Sequence, residues 1–258
     1  MKCYPISEGA FTVNESKKFV PFNKAVDSIK NYSGSLLVEI CPFLIVSDNA
    51  LIVIDPGLGM KNETGEFQII KNISALGFNS TDINLVLLSH LHKDHSGGIA
   101  YEESGEMKAL FPNADYVYQK QEMEEALSKA TLNSYEENKL LFLKNRNKKI
   151  VLNGNTQLNK NIYCELSGGH TKYHQVFWLE DETDKFFFGG DVLPQASQLI
   201  RRFTAKYDFD GKKSADLRMQ YGKKCADENR VLLFFHDSIN ATSKVKQENG
   251  RFELLQNY

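Results

Sequence analysis

The sequence predicts one layered α/β domain, and three observations lead to that prediction. The chain has 258 residues, enough for a single large domain with a substantial core. Its hydrophobic fraction of 41% and charged fraction of 25% are those of an ordinary globular protein. Short apolar runs of strand length alternate with segments of helical spacing, and no linker-like stretch interrupts them. We therefore expect one domain over residues 1–258.

The first half of the chain begins this alternation with three predicted strands, over residues 35–40, 43–46 and 51–54. The third strand leads into a glycine-rich turn that starts at Asp55. A helix is predicted over residues 67–76, because apolar side chains recur there at helical spacing until a glycine. The nearly continuous apolar run 83–89 then suits a strand that is buried on both faces.

The second half repeats the pattern. Its first predicted elements are a short strand at residues 116–118, one long charged helix over roughly 120–145 and a strand at 162–166. Residues 175–179 and 185–188 are predicted to form a strand pair joined by an acidic turn. A helix near residues 215–229 precedes the last predicted strand, at 231–235.

Histidine or aspartate follows four of these predicted strands. His90 follows run 83–89, His170 follows 162–166, Asp191 follows 185–188 and His236 follows 231–235. In layered α/β structures, ligands bind in the crevice beyond the carboxyl ends of strands, where loops held by a rigid sheet converge. The sequence therefore predicts a single site assembled from four loops.

The loop over residues 90–95 reads His-Leu-His-Lys-Asp-His and places four potential metal ligands within six residues. Imidazole and carboxylate groups suit Zn²⁺ and similar cations, each of which takes about four ligands. Together with the other three loops the chain offers enough ligands for two ions, provided that the carboxylate of Asp191 is shared. The seven candidate ligands are His90, His92, Asp94, His95, His170, Asp191 and His236.

A pair of ions about 3.5–4 Å apart supports hydrolysis. Such a pair holds a water molecule and lowers its pKa towards neutrality, so a bridging hydroxide becomes the nucleophile without any protein base. One ion also polarises the scissile carbonyl or phosphoryl oxygen. The ligand set therefore predicts a dinuclear metal-dependent hydrolase.

The His-x-His-x-Asp-His motif, followed by two glycines at 97 and 98, resembles the signature of the metallo-β-lactamase superfamily. Asp55, His170, Asp191 and His236, each with its neighbouring glycine or strand, occur in the family's order, and the resemblance spans about residues 35–240. It implies a four-layer αββα sandwich, in which helices flank two mixed β-sheets and the metal site lies at one edge.

The resemblance also implies how the ligands are shared. One metal would take His90, His92 and His170, the other Asp94, His95 and His236, and Asp191 would bridge them. Asp55 and His174 match positions that support the ligands from behind. Asp94 is also expected to be catalytic, by orienting the attacking hydroxide or passing a proton. Two divalent ions are expected, with Zn²⁺ first and Mn²⁺ or Fe²⁺ as alternatives.

The resemblance implies a class of substrate and leaves two alternatives open. Members similar in layout include acyl-homoserine lactonases, glyoxalase II-like thioesterases and aryl phosphotriesterases, so we expect a small ester, lactone, thioester or phosphoester. Pro194 stands where well-known lactonases have a tyrosine. One alternative is a persulfide dioxygenase-like oxidoreductase that binds a single iron with fewer of these ligands. The other is a non-catalytic metal-binding member of the family.

Charge and composition limit the partners. A formal net charge of -2 gives no electrostatic footprint for nucleic acid, and no apolar run approaches the roughly 20 residues of a membrane span. The first residues show no hydrophobic signal region, so a cytoplasmic protein is expected. The expected partner is a small-molecule substrate, and a homodimer stays open. Tyr207 and Asp208 either face the site or are ordinary loop residues, and both are left out of the catalytic set.

Overall fold

A computed structural model describes residues 1–129 and 132–255 of the chain. Its strands are β1 Lys2–Pro5, β2 Gly9–Val13, β3 Phe19–Pro21, β4 Leu36–Ile40, β5 Phe43–Val46, β6 Leu51–Ile54, β7 Leu85–Leu87, β8 Ala100–Glu103, β9 Glu106–Ala109, β10 Asp115–Gln119, β11 Lys149–Leu152, β12 Thr156–Asn159, β13 Ile162–Leu166, β14 Gln175–Glu180, β15 Lys185–Phe188, β16 Val231–Leu233, β17 Thr242–Ser243, β18 Val245–Glu248 and β19 Arg251–Leu254. Its α-helices are α1 Gln68–Ala75, α2 Lys93–Ser96, α3 Lys120–Ser128, α4 Glu137–Asn145, α5 Ala196–Ile200 and α6 Gly211–Asp227. Over the described ranges, none of these helices has both the length and the apolar character that a membrane span requires.

Two six-stranded mixed sheets form the centre of the molecule. The first has the strand order β1-β5-β6-β7-β10-β11, with β1, β5 and β6 antiparallel and the remaining pairs parallel. The second has the order β12-β13-β14-β15-β16-β17, and only its β15–β16 pair is parallel. In both sheets the parallel strands β7, β15 and β16 lead directly into predicted ligand loops.

The two sheets pack face to face, because alternate residues of their strands point inwards. Phe43 and Ile54 of the first sheet meet Phe177 and Phe188 of the second in one buried cluster. The ring centroids of Phe43 and Phe188 are 5.9 Å apart, in an edge-to-face arrangement. This apolar layer fixes the sheets against each other and so fixes the loops at their edge.

Helices cover both outer faces. On the first sheet, Leu44 and Val53 pack in one cluster with residues of α1, α3 and α4. On the second sheet, Trp178 and Phe187 pack against Tyr221 of α6. The sequence of layers is helix, sheet, sheet, helix, which confirms the predicted αββα sandwich.

A smaller three-stranded antiparallel sheet, in the order β3-β2-β4, lies beside the sandwich. Its strand β4 runs directly into β5 of the first sheet. The sequence predicts only β4 of these three strands, since β2 and β3 are short and lack a strong apolar run. The sheet matters for function because it forms one wall of the cleft described below.

The prediction of one long helix over residues 120–145 is wrong. The structure has two helices, α3 and α4, with residues 132–136 outside helix, and residues 130–131 of that prediction lie outside the described part of the chain. Asn133 and Ser134 are weak helix formers. The backbone carbonyl of Ser134 instead accepts a hydrogen bond of 2.8 Å from the N–H of Lys93. The break therefore lets the segment between the helices meet the histidine loop.

Two predicted boundaries also differ from the structure. The last predicted strand corresponds to β16 and ends at Leu233, so residues 234–235 already belong to the ligand loop. Strand β7 is shorter than the apolar run 83–89. That one domain extends over residues 1–258 stays a prediction, and its last three residues, 256–258, lie outside the described residues.

Candidate metal centre

The seven predicted ligands lie together at one edge of the sandwich. His90 and His92 follow β7, and the short helix α2 carries Asp94 and His95. His170, Asp191 and His236 come from the loops after β13, β15 and β16. The ligand atoms form two groups whose members approach within 4.8 Å of one another; these are His90 with His92 and His170, and Asp94 with His95 and His236.

The first group is a triangle of imidazole nitrogens. Nε2 of His90 lies 3.0 Å from Nδ1 of His92, which lies 3.0 Å from Nε2 of His170. Oδ2 of Asp191 lies 3.2 Å from the same His170 nitrogen. The group therefore presents three nitrogens and one carboxylate oxygen to a common point.

The second group joins two imidazoles and two carboxylates. Nε2 of His95 and Nε2 of His236 are 3.3 Å apart, and each lies 3.2 Å from Oδ1 of Asp191. Oδ2 of Asp94 lies 3.7 Å from His95 and 3.5 Å from His236. The two oxygens of Asp191 thus face different groups, which is the arrangement that a bridging carboxylate requires.

These spacings fit metal ions of the expected size. Bonds of about 2.0–2.1 Å in a tetrahedral site separate the ligand atoms by about 3.3–3.4 Å. The observed separations run from 3.0 to 3.7 Å. Moreover, Oδ1 of Asp191 is buried and lacks a hydrogen-bond partner among the described residues, so a buried acceptor points into the second group without a donor. The donor set therefore suits two divalent cations.

The electrostatics of the first group favour neutral imidazoles, the form that binds a metal. Burial, together with the neighbouring imidazoles, lowers the pKa of His90 and of His92 well below its usual value. Burial alone would raise the pKa of Asp191, but the charges of His95, His236 and His170 outweigh it and hold that pKa well below its usual value. The bridging position is therefore an ionised carboxylate.

Asp55 lies behind the ligands and is completely buried. Its carboxylate accepts from the Ser89 N–H at 2.7 Å, from the Ser89 hydroxyl at 2.5 Å and from Nδ1 of His95 at 2.8 Å. Asp55, His90 and His95 also approach one another, but these three donors already occupy the Asp55 oxygens. Its left-handed φ of 46° is strained for an aspartate, and the hydrogen bonds hold it there. This geometry favours a supporting role.

His174 also lies behind the site. Its Nε2 accepts the backbone N–H of Asp191 at 3.2 Å, and its Nδ1 pairs with the hydroxyl of Ser167 at 2.8 Å. A Cβ atom added to Gly190 would lie 2.5 Å from the Nε2 of His174, and Gly190 also has a positive φ of 48°. Only glycine therefore lets the Asp191 backbone reach this ring. Both ring nitrogens of His174 are occupied, so it positions the proposed bridge and stays outside the ligand groups.

Asp208 contacts a predicted ligand, although the sequence gives no sign of it. Its Oδ1 lies 2.8 Å from Nδ1 of His170, and both side chains are almost fully buried. The next backbone N–H groups, of Phe209 and Asp210, donate to the carbonyls of His170 and Gly169. Of the two interpretations left open for Asp208, the structure therefore agrees with the one in which it faces the site. It lies 38 residues from His170, without a motif that connects the two.

Glu122 is a second residue that the sequence does not indicate. Its buried carboxylate accepts from the backbone N–H of Leu91, between two predicted ligands, at 3.2 Å. It also accepts from the hydroxyl of Thr171, directly after His170, at 2.8 Å. Burial raises the pKa of Glu122 to about 7. The side chain joins the two loops that supply the first group of nitrogens.

A cleft of about 650 Å³, partly open to solvent, lies over both groups. Its floor contains five of the predicted ligands, namely His92, Asp94, His170, Asp191 and His236. Val13, Phe19, Leu36 and Val38 of the three-stranded sheet form an apolar wall, and Tyr207 lies opposite, with its ring centroid 6.0 Å from that of His170. A small organic molecule can therefore reach the ligand atoms.

Two lysines lie at the mouth of this cleft, Lys17 and Lys93. Nζ of Lys93 is 5.9 Å from the ring centroid of Phe19. The pKa of Lys93 is lowered, chiefly because the side chain is partly buried. The charges of Glu136 and Asp94 act to raise this pKa, and the charge of Lys17 lowers it further. The two ammonium groups thus share one electropositive region beside the floor.

Comparison with known proteins agrees with this geometry. The family model described as the metallo-beta-lactamase superfamily matches residues 42–236. An N-acyl homoserine lactonase of Bacillus sp is 28% identical over 193 residues, which cover 72% of this chain and 66% of the relative. An N-acyl homoserine lactonase of Bacillus thuringiensis is 28% identical over 180 residues, 67% of this chain and 64% of the relative. The chain spans just under two thirds of the length of these curated relatives.

Solved structures share the fold over nearly the whole chain. AidC, a dizinc quorum-quenching lactonase in complex with a product, has a TM-score of 0.75 at 20% identity, covering 98% of this chain and 92% of that chain. A probable metal-dependent hydrolase from Staphylococcus aureus has a TM-score of 0.75 at 21% identity, covering 100% and 98%. At these identities the likeness shows the fold.

Proposed function

The chain belongs to the metallo-beta-lactamase superfamily, and from that premise we propose that it is a metal-dependent hydrolase of a small ester, lactone, thioester or phosphoester. One observation carries the proposal: two groups of ligand atoms share Asp191 at the floor of an open cleft. The lactonase relatives make lactones and other carboxylic esters the first substrates to test.

Two divalent ions belong to the proposal, one held by each group. His90, His92 and His170 would bind the first ion, Asp94, His95 and His236 the second, and Asp191 both. Bound there, such ions lower the pKa of a water molecule and polarise the carbonyl or phosphoryl oxygen of a substrate. Zinc is proposed for both positions, since neutral imidazoles and carboxylates are its usual nitrogen and oxygen ligands.

The chain's own residues would orient the reactants and move the proton. Asp94 lines the cleft and keeps 15% of its side chain exposed, against 9% for His236 and 0% for His95 beside it. Its carboxylate is therefore placed to accept the proton of the attacking water and to return it to the leaving oxygen. The apolar wall, including Val38, excludes water from the acyl side of the substrate.

Metal analysis and hydrolase assays on the purified chain test the proposal. We expect about two zinc or manganese ions per chain and metal-dependent turnover of at least one of the four substrate types. His92→Ala should remove one ion and most of the activity, whereas Asp216→Asn, which changes an exposed carboxylate on α6, should change neither. Absence of turnover on all four, with His92→Ala indistinguishable from the unmodified chain, would contradict the proposal. One iron per chain with oxygen uptake on a thiol substrate would favour the dioxygenase alternative instead.

A cytoplasmic location and a homodimer stay proposals of the same kind. Fractionation of the source cells tests the location, and light scattering of the purified chain tests the dimer. A mass near 29.3 kDa, that of a single chain, would contradict the dimer.

A further inference from the structure

We infer that the substrate of this hydrolase is an amphipathic ester that carries an anionic group, such as a carboxylate or a phosphate, beside an apolar one. The inference rests on the proposed function and adds the chemical class of its substrate. Two features of the cleft carry it, a pair of lysines at the mouth and the apolar wall beside them.

Both lysines lack a carboxylate partner of their own. Within the described ranges, neither Lys17 nor Lys93 forms an ion pair, although both line the cleft. The acidic groups nearest Lys93 are committed elsewhere: Asp94 belongs to the second ligand group, and Glu136 pairs with Lys139 at 2.8 Å. Two like charges side by side without a counter-charge favour the binding of an anion.

The backbone fixes where these lysines sit. Lys17 has a left-handed φ of 58° in the turn between β2 and β3, where its N–H donates to the carbonyl of Asn14 at 2.9 Å. Lys93 is the first residue of α2, and its N–H donates to the carbonyl of Ser134 at 2.8 Å. The backbone of each residue is therefore held by a hydrogen bond beside the cleft that its side chain lines.

The metal centre itself does not need these charges. Four carboxylates belong to the ligand groups or contact them, so they would face the two divalent ions and not the lysines. Those carboxylates are Asp55, Asp94, Asp191 and Asp208. The charges of Lys17 and Lys93 therefore remain uncompensated at the mouth and attract an anionic substrate to the cleft.

The apolar wall supplies the other half of the specificity. Leu36 is 57% exposed, unusually open for a leucine, and it faces the cleft with Val13 and Phe19. An alkyl or aryl group laid on this wall would bury its surface at about 25 cal/mol per Å². A neutral alkyl ester would use the wall and leave both lysines unpaired, whereas an anionic amphiphile uses both features.

Paired chromogenic esters test this directly. We would compare kcat/KM for 4-nitrophenyl octanoate with that for its 3-carboxy-4-nitrophenyl analogue, and with that for a 4-nitrophenyl monoester of an eight-carbon diacid. Lys17→Met and Lys93→Met should each lower the anionic-to-neutral ratio of kcat/KM by about two- to fivefold, within the range of one partly exposed charge contact. Lys18→Met is the matched control, since it removes the same charge one residue away from the cleft lining.

Binding provides a readout apart from turnover. Calorimetry on the metal-loaded chain should show octanesulfonate binding more tightly than octyl glucoside. Lys17→Met should weaken this preference by about two- to fivefold, and salt should reduce it. Equal hydrolysis of neutral and anionic esters, with ratios that none of the variants changes, would overturn the inference and leave the proposed function standing. Absence of turnover on all four substrate types by the chain with two ions bound would instead overturn the proposed function.

Discussion

Replacing Asp208 with asparagine should weaken the binding of one metal ion more than the binding of the other. Oδ1 of Asp208 accepts from Nδ1 of His170 at 2.8 Å, which leaves the Nε2 of that ring free to bind a metal. The side chains of His170 and Asp208 are only 4% and 1% exposed, so solvent does not screen the contact. Asparagine keeps the size of the side chain and removes its charge. It can also turn its amide donor towards Nδ1, which would move the ring proton to Nε2 and block the metal.

The size of the effect follows from this contact. Loss of a carboxylate behind a metal-binding histidine costs about 10- to 100-fold in metal affinity, which corresponds to about 1.4–2.7 kcal/mol. The loss should fall on the ion held by the group that contains His170. The ion held with His236 should change less, since the Nδ1 of that ring pairs with the backbone carbonyl of Glu39 at 2.7 Å instead.

Competition with a fluorescent zinc chelator can measure the two dissociation constants separately. Asp216→Asn is the control, because it changes an exposed aspartate that pairs with Arg202 on the surface, with side chains 46% and 72% exposed. Two dissociation constants within about twofold of the unmodified chain, or a loss confined to the other ion, would refute the argued link between Asp208 and His170.

Three further predictions concern stability. Glu122→Gln should lower the free energy of unfolding in urea by about 1 kcal/mol. The carboxylate accepts from the Leu91 N–H and the Thr171 hydroxyl, and the amide nitrogen of glutamine cannot accept from the donor that it faces. An unchanged urea midpoint would contradict this prediction. Burial raises the pKa of Glu8 from 4.5 to about 7. As the pH rises, Glu8 therefore loses its proton in the unfolded state before it does so in the folded state. The stability of the unmodified chain relative to Glu8→Gln should therefore fall, by at most about 3 kcal/mol, as the pH rises from about 4.5 to 7, and a difference that is flat or rises with pH would count against this. Chelation of the ions should lower Tm by more than about 10 °C, since each ion at a 1,000-fold excess over its Kd adds about 4 kcal/mol, and equal Tm values with and without chelator would argue against metal binding.

The sequence predicts that the seven candidate ligands lie together because their signals are local. Three of the histidines and one aspartate fall within residues 90–95, and the other ligands directly follow apolar runs that form strands. Strand ends are positions where a rigid sheet determines the geometry, so spacing along the chain translates into position in space. The two sheets and their order of layers follow from the family resemblance instead, because the alternation of apolar runs predicts only a layered α/β domain.

Contacts made only by tertiary folding could not be predicted in this way. Asp208 reaches His170, and Glu122 reaches Leu91, across 38 and 31 residues of intervening chain. Neither has a spacing that distinguishes it from a solvent-exposed acidic residue. The break between the two helices near Ser134 could not be predicted for a related reason. The hydrogen bond that Ser134 accepts there comes from Lys93, which is far away in the sequence. The helix propensity of these residues is weak, so the contact with a residue distant in sequence determines the conformation.

The family resemblance and the cleft wall come from different parts of the chain. The family model matches residues 42–236, whereas Val13, Lys17, Phe19 and Leu36 all precede that match. Every predicted ligand lies inside it. The proposed metal ligands are therefore separable from most of the residues proposed to contact the apolar part of a substrate. Changes in β2, β3 or the turn between them can alter which ester binds while the ligand atoms keep their positions, since those atoms are held by the edge of the sandwich. Such a division explains why a ligand motif specifies the chemistry of this fold so much more sharply than it specifies the substrate.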